Sequence, residues 1–327
     1  MKKALSAVAL AAAAVLALAG CTDSAAGPSS APSDGSGSDD MRTVRVAALP
    51  IAETGALWAA IDEGIFEKHG IAVEVVPAQG GAQAIPALLS GDIQFAIGQP
   101  FGPFRADLQD LGVAIIGDYA SAQPTGRDVN AVVSLPDSGI TDPADLAGKR
   151  VSVNSLGAAG DVTIMKAVED AGGDPSTIQF VEVAFPDVQA QLEAGNIDAG
   201  WVPDPFMSQI EAGGGNIVVF PYQAAIPGLD LLTTITTQKL IDSDPELVTD
   251  FSAAMSEALD WASGDEDAVR AAIVENMGVP EDVAAGITLP VFTADLDVAN
   301  LKELADLAVG YGVLEKAPDF DRLVQIP

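Results

Sequence analysis

The chain has 327 residues, of which 49% are hydrophobic, and its 15 basic and 47 acidic side chains give a formal net charge of −32. That is enough apolar material for sizeable cores, and the charge repels phosphate backbones and anionic headgroups, excluding nucleic-acid binding and electrostatic adsorption to a membrane. One cysteine and one histidine in the whole sequence exclude a disulfide framework and cysteine-based metal sites, and leave little material for nucleophilic catalysis.

Lys2-Lys3 precede an Ala/Leu/Val run from Ala4 to Ala17, followed by Leu18-Ala19-Gly20-Cys21. Residues 1–20 are predicted to be a signal peptide, since the apolar run is too short to span a bilayer. Leu-Ala-Gly-Cys resembles the bacterial lipoprotein box, which implies acylation of Cys21 and anchoring on the outer face of the cell membrane. An ordinary secretory signal with an incidental cysteine is the alternative. Residues 21–40 follow as a tether of Ser, Gly, Ala, Pro and Asp with a reach of roughly 25 Å, too polar and small-residued to form a core.

From Arg42 to Gly98 the sequence alternates strand and helix. Thr43 to Leu49 reads as a buried strand, Pro50 to Gly55 as a turn, Ala56 to Glu63 as an amphipathic helix and Val73 to Val76 as a second strand. Gly80-Gly81 break the chain before a helix over Gln83 to Ser90, and a third strand, Ile93 to Ile97, ends at Gly98-Gln99-Pro100. Such alternation predicts a parallel sheet covered by helices, with ligands held beyond the carboxyl ends of its strands.

Strands are then expected at Gly112 to Ile116 and Ala131 to Leu135, the second leading out of the first lobe. The strand-helix pattern returns as Lys149–Asn154, Asp161–Ala171, Ile178–Val183, Asp187–Ala194 and Asp198–Val202. One segment aligns without gaps: Leu88, Gly91 and Ile93 correspond to Leu192, Gly195 and Ile197, so two similar α/β lobes are expected. Ile217 to Phe220 closes the second lobe, and Leu231 to Thr237 leads back. Lobe 1 is assigned to residues 41–132 plus 235–327 and lobe 2 to 133–234. Two crossings make a hinge able to close like a jaw. Behind Asp244-Pro245, the stripes Val248, Phe251, Met255, Leu259, Ala262 and Leu301, Leu304, Ala305, Ala308, Val309 predict core-facing helices.

Six motifs in order carry a family resemblance: Gly64-Ile65-Phe66-Glu67-Lys68-His69-Gly70-Ile71, Gly80-Gly81, Ser90-Gly91-Asp92-Ile93, Asp145-Leu146-Ala147-Gly148-Lys149-Arg150-Val151, Gly195-Asn196-Ile197-Asp198-Ala199 and Pro203-Asp204-Pro205-Phe206. Over roughly Arg42 to Leu314 the chain resembles the nitrate/sulfonate/taurine and thiamine-pyrimidine (NMT1/THI5-like) solute-binding proteins of ABC transporters. The resemblance implies an α/β, type II periplasmic-binding fold with two doubly wound lobes and a two-crossing hinge. It also implies a monomer that closes on a small organic solute and delivers it to an ABC permease with its ATPase, without a cofactor or a resident metal.

The family's ligand loops map onto Pro50, Glu53, Thr54, Gly80, Gly81, Gln99, Asn154, Ser155, Gly157, Asp187, Trp201, Asp204 and Phe206. Glycine-rich loops at helix starts offer backbone N–H groups to an anionic head, or simply make tight turns. Ala158-Ala159 stand where relatives often carry hydroxyls, which weighs against an inorganic anion. Asp204, beside Trp201 and Phe206, suits an amine, amidine or aminopyrimidine that bonds to the acid and stacks on a ring. Asp187 is open to two roles, ligand contact and helix cap; Glu53 is open to pocket and solvent, and Trp58 to pocket and core.

Catalysis lacks its usual components: His69 lies in a Lys-His-Gly turn, and no second cysteine supports the chemistry of fold relatives that make the thiamine pyrimidine. A glycosidase-like Glu53–Asp204 acid pair is the enzymatic alternative, and a ligand sensor without transport is the alternative on the same fold.

Overall fold

The computed structural model describes residues 41–78 and 81–327; the signal peptide, Cys21, the tether and Gly80 lie outside the described residues. Eleven strands are described: β1 (Arg42–Ala48), β2 (Ile71–Pro77), β3 (Phe95–Gly98), β4 (Val113–Ser121), β5 (Asn130–Ser134), β6 (Arg150–Val153), β7 (Gln179–Glu182), β8 (Ala199–Pro203), β9 (Asn216–Val219), β10 (Asp230–Thr237) and β11 (Val291–Phe292). They form one sheet in the order β2-β1-β3-β10-β4-β11 and a second in the order β7-β6-β8-β5-β9. Apart from β11 the two orders are equivalent, with β6, β7 and β8 in the places of β1, β2 and β3.

The sheets are mixed, not parallel as the alternation predicts. β10 runs antiparallel to β3 and β4, with Thr234 opposite Ile97, and β5 runs antiparallel to β8 and β9, with Val132 opposite Trp201. Each inserted strand is reached from the other sheet, β5 after β4 and β10 after β9 and the short helix Pro221–Ala225, and runs antiparallel to its neighbours. The lobe boundaries drawn from sequence at 132 and 235 fall inside β5 and β10; each of these strands pairs along its length within a single sheet.

The helices that matter for the site are α1 (Gly55–Asp62), α2 (Gly81–Ser90), α3 (Phe101–Leu108), α4 (Ala159–Asp170), α5 (Val188–Glu193), α6 (Phe206–Ala212), α7 (Pro221–Ala225), α8 (Pro245–Gly264) and α9 (Val298–Gly310). The ungapped repeat has a structural cause. Leu88 and Leu192 end helices on buried side chains, Gly91 and Gly195 take left-handed conformations (φ 84° and 69°), and Ile93 and Ile197 re-enter the core. A Cβ is disfavoured at that φ, so glycine terminates the helix and turns the chain into the next strand.

The α8 stripe is buried as its spacing predicts. Asp244 accepts the Leu247 N–H at 3.1 Å as N-cap, Pro245 opens the first turn, and Phe251 stacks on Phe95 (centroids 3.8 Å apart, planes at 6°) and on Phe66 (5.8 Å). In α9, Leu301, Leu304, Ala305 and Ala308 are buried. No helix among the described residues is long and apolar enough to cross a membrane.

Where β4 and β10 meet, Asp118 and Asp230 are both buried and share Ser121, whose hydroxyl donates to Asp118 Oδ2 at 2.8 Å and lies 3.3 Å from Asp230 Oδ1; Asp118 Oδ1 has no hydrogen-bond partner. Burial, and then the neighbouring carboxyl, raise Asp118 well above the usual range; burial raises Asp230 to about 6. The folded form therefore binds protons more tightly than the unfolded chain. Its stabilising contribution is full below the ordinary carboxylate range and is lost as pH rises through about 6 and beyond. Asp118→Asn is expected to raise the unfolding free energy at mildly alkaline pH by about 1–2 kcal/mol and to flatten its decline with pH, read by denaturant unfolding at several pH values.

Candidate functional site

The facing ends of the two sheets enclose a cavity of about 130 Å³. The six-stranded side contributes Leu49, Ile51, Glu53, Gln83, Gln99 and Arg105; the five-stranded side contributes Asn130, Asn154, Ser155, Glu182, Phe185, Trp201 and Tyr222. Of the residues expected from sequence, Glu53, Gln99, Asn154, Ser155 and Trp201 thus come together, and Pro50 and Phe206 line an adjoining hollow of about 240 Å³.

Trp201, on β8, is the apolar wall. Its ring meets Phe185 and Tyr222 edge-on at 5.5 and 5.6 Å, and its indole N–H donates to Asn130 Oδ1 at 2.9 Å, so the one polar atom of a buried ring is satisfied. Gly160 opens the way for this packing, because a Cβ there would sit 3.0 Å from the indole. Trp58 is half-buried, packs against the main core and does not line the cavity.

Contacts reach across the cleft at several points. Gln99 donates to the Tyr222 hydroxyl at 3.1 Å, Arg105 donates to the Gly157 carbonyl, and the Ala52 N–H donates to the Asp204 carbonyl at 3.5 Å. Away from the cavity, the Tyr311 hydroxyl, just past α9, donates to Glu169 on α4 at 2.6 Å. These bonds hold the halves closed.

Four expected ligand contacts are placed otherwise. Asp204 is fully buried, but its Oδ1 accepts the N–H (3.0 Å) and hydroxyl (2.6 Å) of Ser208, fastening the first turn of α6 instead of lining the cavity. Asp187 is exposed at the start of α5, and its side chain makes no capping hydrogen bond, so neither of its expected roles is realised. The turn Phe185–Asp187 directs Phe185 inward and Asp187 to solvent. Thr54 is buried, with its hydroxyl donating back to the carbonyls of Leu49 and Ile51.

Gly157 supplies no free amide: its N–H and that of Ala158 donate to the two carboxylate oxygens of Asp161 at 2.6 and 3.1 Å. The N-terminus of α4, which the glycine-rich loop suggested as a seat for an anion, is filled by the chain's own carboxylate. Gly81 opens α2.

Arg105 and Tyr222 are among the lining residues that sequence reasoning missed, with Gln83, Asn130 and Glu182. Arg105 sits on α3, a helix not expected between Pro100 and Gly112, because Phe-Gly-Pro-Phe has no amphipathic period; six of its eight residues are buried. Tyr222 follows Pro221 at the first turn of α7 and is raised well above the ordinary phenol range by burial, with Glu53, Asp128 and Asp161 adding to it.

Glu53 is 3% exposed, lines the cavity and leaves Oε2 without a hydrogen-bond partner. Burial raises its carboxyl well above the usual range, and the nearby carboxyls of Asp204 and Asp128 push it further. Among the described residues no cluster of His, Cys, Asp or Glu is placed to hold a metal ion, and His69 meets Glu257 at 2.9 Å on the surface.

The family model described as NMT1/THI5 like matches residues 52–268. The chain is 26% identical over 247 residues to a formylaminopyrimidine-binding protein of Halalkalibacterium halodurans, covering 73% of this chain and 72% of that one. It is 24% identical over 244 residues to a putative ABC transporter periplasmic binding protein of Brachyspira hyodysenteriae (70% and 68% covered). In structure it matches the alkanesulfonate-binding protein SsuA of Xanthomonas axonopodis pv. citri bound to MOPS, with a TM-score of 0.74 at 17% identity over 87% of this chain and 98% of that one. The desulfurization enzyme DSZB matches as well, with a TM-score of 0.67 at 18% identity over 87% and 96%. At those identities the structural likeness shows the periplasmic-binding fold, which carries both binding proteins and an enzyme.

Proposed function

Because the chain belongs to the NMT1/THI5-like family, we propose that it is the extracytoplasmic solute-binding component of an ABC importer. In this reading it is anchored outside the cell through acylated Cys21, acts as a monomer, and closes on a small nitrogen-bearing organic solute that it hands to a permease. The observation that carries the reading is the cavity walled from both sheets, with Gln99 and Arg105 of one half bonded to Tyr222 and Gly157 of the other. A site divided in this way couples occupancy to closure, because a solute touching both walls binds the closed form more tightly than the open one.

The solute leans toward an amine or aminopyrimidine over a simple sulfonate, since Glu53, whose buried carboxyl keeps one oxygen unpartnered, lines the cavity while Asp161 occupies the helix N-terminus. Binding rather than turnover is supported by the same wall: Glu53 lines the cavity but Asp204, its partner in the glycosidase-like reading, is spent on Ser208.

A thermal-shift screen against aminopyrimidines, amines and alkanesulfonates tests the proposal. A binder at about a hundred times its Kd adds about 2.7 kcal/mol of stability, and solution scattering should then show a more compact particle with solute than without. A tight binder that leaves compactness unchanged contradicts closure, and turnover of the binder contradicts a carrier. Arg105→Ala is expected to weaken binding of any solute found by about 1.5–3 kcal/mol, the value of a hydrogen bond from a charged donor, measured by calorimetry.

A further inference from the structure

Three carboxyl groups from three separate segments converge beside the cavity, Asp128 and Asp204 each close enough to act on Glu53: Glu53 in the turn before α1, Asp128 in the crossing before β5, and Asp204 just past β8. Backbone bonds stitch the segments together, Ala52 N–H to the Asp204 carbonyl (3.5 Å) and Asp204 N–H to the Val129 carbonyl (3.3 Å). Asp128 Oδ1 accepts the N–H groups of Gln123 and Val129, both at 2.9 Å, and Asp204 Oδ1 is held by Ser208. Glu53 Oε2, Asp128 Oδ2 and Asp204 Oδ2 are each buried without a hydrogen-bond partner.

Among the described residues no basic side chain forms an ion pair with the trio. Around Glu53 stand the phenols of Tyr119 and Tyr222, with Arg105 and Glu182 on the cavity wall and Arg127 near Asp204. Arg127 pairs with Glu211 at 2.8 Å, and Arg105 is bonded to the Gly157 carbonyl. Three uncompensated charges in a water-poor site would repel one another strongly, so the trio retains a proton in the solute-free protein.

We propose that Glu53 selects the charge of the solute: it accepts an N–H from a cationic nitrogen base, and the proton held by the carboxyl trio is given up as that base enters. For a base already protonated in water, the carboxyl O–H bond breaks, the proton passes to solvent and a carboxylate–cation pair forms. A base that is neutral in water takes the same proton and releases none. Amidines and aminopyrimidines belong to the admitted class, and an alkanesulfonate is refused because it adds a negative charge beside the trio and offers no N–H to the remaining acceptor oxygens. This deepens the solute-carrier reading and rests on it.

The test uses the full mature protein and three probes, benzamidine, 4-aminopyrimidine and ethanesulfonate, titrated by calorimetry in phosphate and in Tris near neutral pH. Both bases are expected to bind and ethanesulfonate to fail, with benzamidine expelling about one proton. Glu53→Gln should weaken both bases by about tenfold or more and abolish proton release. In the solute-free protein, infrared spectra near neutral pH should show the carbonyl stretch of a protonated carboxylic acid that Glu53→Gln diminishes.

Binding of ethanesulfonate in place of the bases, or of no base, overturns the solute class. Undiminished base binding by Glu53→Gln, or absence of the infrared band, overturns the role of Glu53. A probe weakened by Gln99→Ala but indifferent to Glu53→Gln leaves the cavity as the solute site and removes the inference alone; a probe indifferent to both Gln99→Ala and Arg105→Ala binds elsewhere and removes both.

Discussion

Trp201→Ala is expected to eliminate measurable solute binding and to lower the unfolding free energy by about 3–5 kcal/mol, the usual cost of deleting a buried large aromatic. Both effects come from one side chain. The indole is 3% exposed, packs edge-on against Phe185 and Tyr222, and satisfies Asn130. Its loss leaves the Asn130 carbonyl oxygen unpaired and removes the surface on which a flat solute would stack. Denaturant unfolding reads the first effect and calorimetry the second. Trp201→Phe keeps much of the volume but no N–H, so it should recover most of the stability and part of the affinity. Full affinity in Trp201→Ala would place the solute elsewhere.

Phe251→Ala is expected to cost a similar amount, about 3–5 kcal/mol, with little change in solute affinity at temperatures where the protein remains folded. Phe251 stands on α8, stacked on Phe95 of β3 and on Phe66, so the cavity it would leave lies between α8 and the six-stranded sheet. It lines neither the solute cavity nor the hollow beside it. Comparing the two variants separates damage to a lobe from damage to the site. A fall in the denaturant midpoint with unchanged slope and unchanged Kd is the expected outcome for Phe251→Ala; a cost below about 1 kcal/mol would mean that the neighbouring rings collapse into the space.

The buried acids tie stability to pH in one direction. Asp118 and Asp230, like Glu53, hold protons more tightly folded than unfolded, so each adds stability in acid and loses it as pH rises. The half-exposed Asp198–Arg150 pair acts oppositely, because Arg150 lowers the Asp198 carboxyl, but it is solvent-screened and small.

The duplicated lobes were legible in the chain because their causes are local. The Leu-x-x-Gly-x-Ile hexamers encode a buried helix end, a left-handed glycine and a strand start within six residues, and the α8 stripe encodes one buried face. Five of the expected ligand residues line the cavity because strand ends converge there in this architecture. The antiparallel insertion of β5 and β10 was not legible, since the direction in which a strand enters a sheet depends on where the previous strand left the chain and not on the strand's own pattern. Nor was α3, whose Phe-Gly-Pro-Phe start is buried on most sides and so has no period to read.

Alternation, glycine placement and apolar spacing were thus sufficient to specify two α/β lobes and most of the loops that wall the cavity. Which polar atoms remain available in that cavity was settled by packing. Asp161 gives both oxygens to the amides of Gly157 and Ala158, and Asp204, with one oxygen held by Ser208 and the other unpaired, does not line the cavity as Glu53 does. Glu53 keeps an oxygen unpaired, because the groups brought around it from distant segments include two more acids and no cation bonded to it. Ser208 and the Gly157 and Ala158 amides lie within four residues of the acids they satisfy, whereas Asp128 and Asp204 reach Glu53 from distant segments, a meeting that no local pattern records.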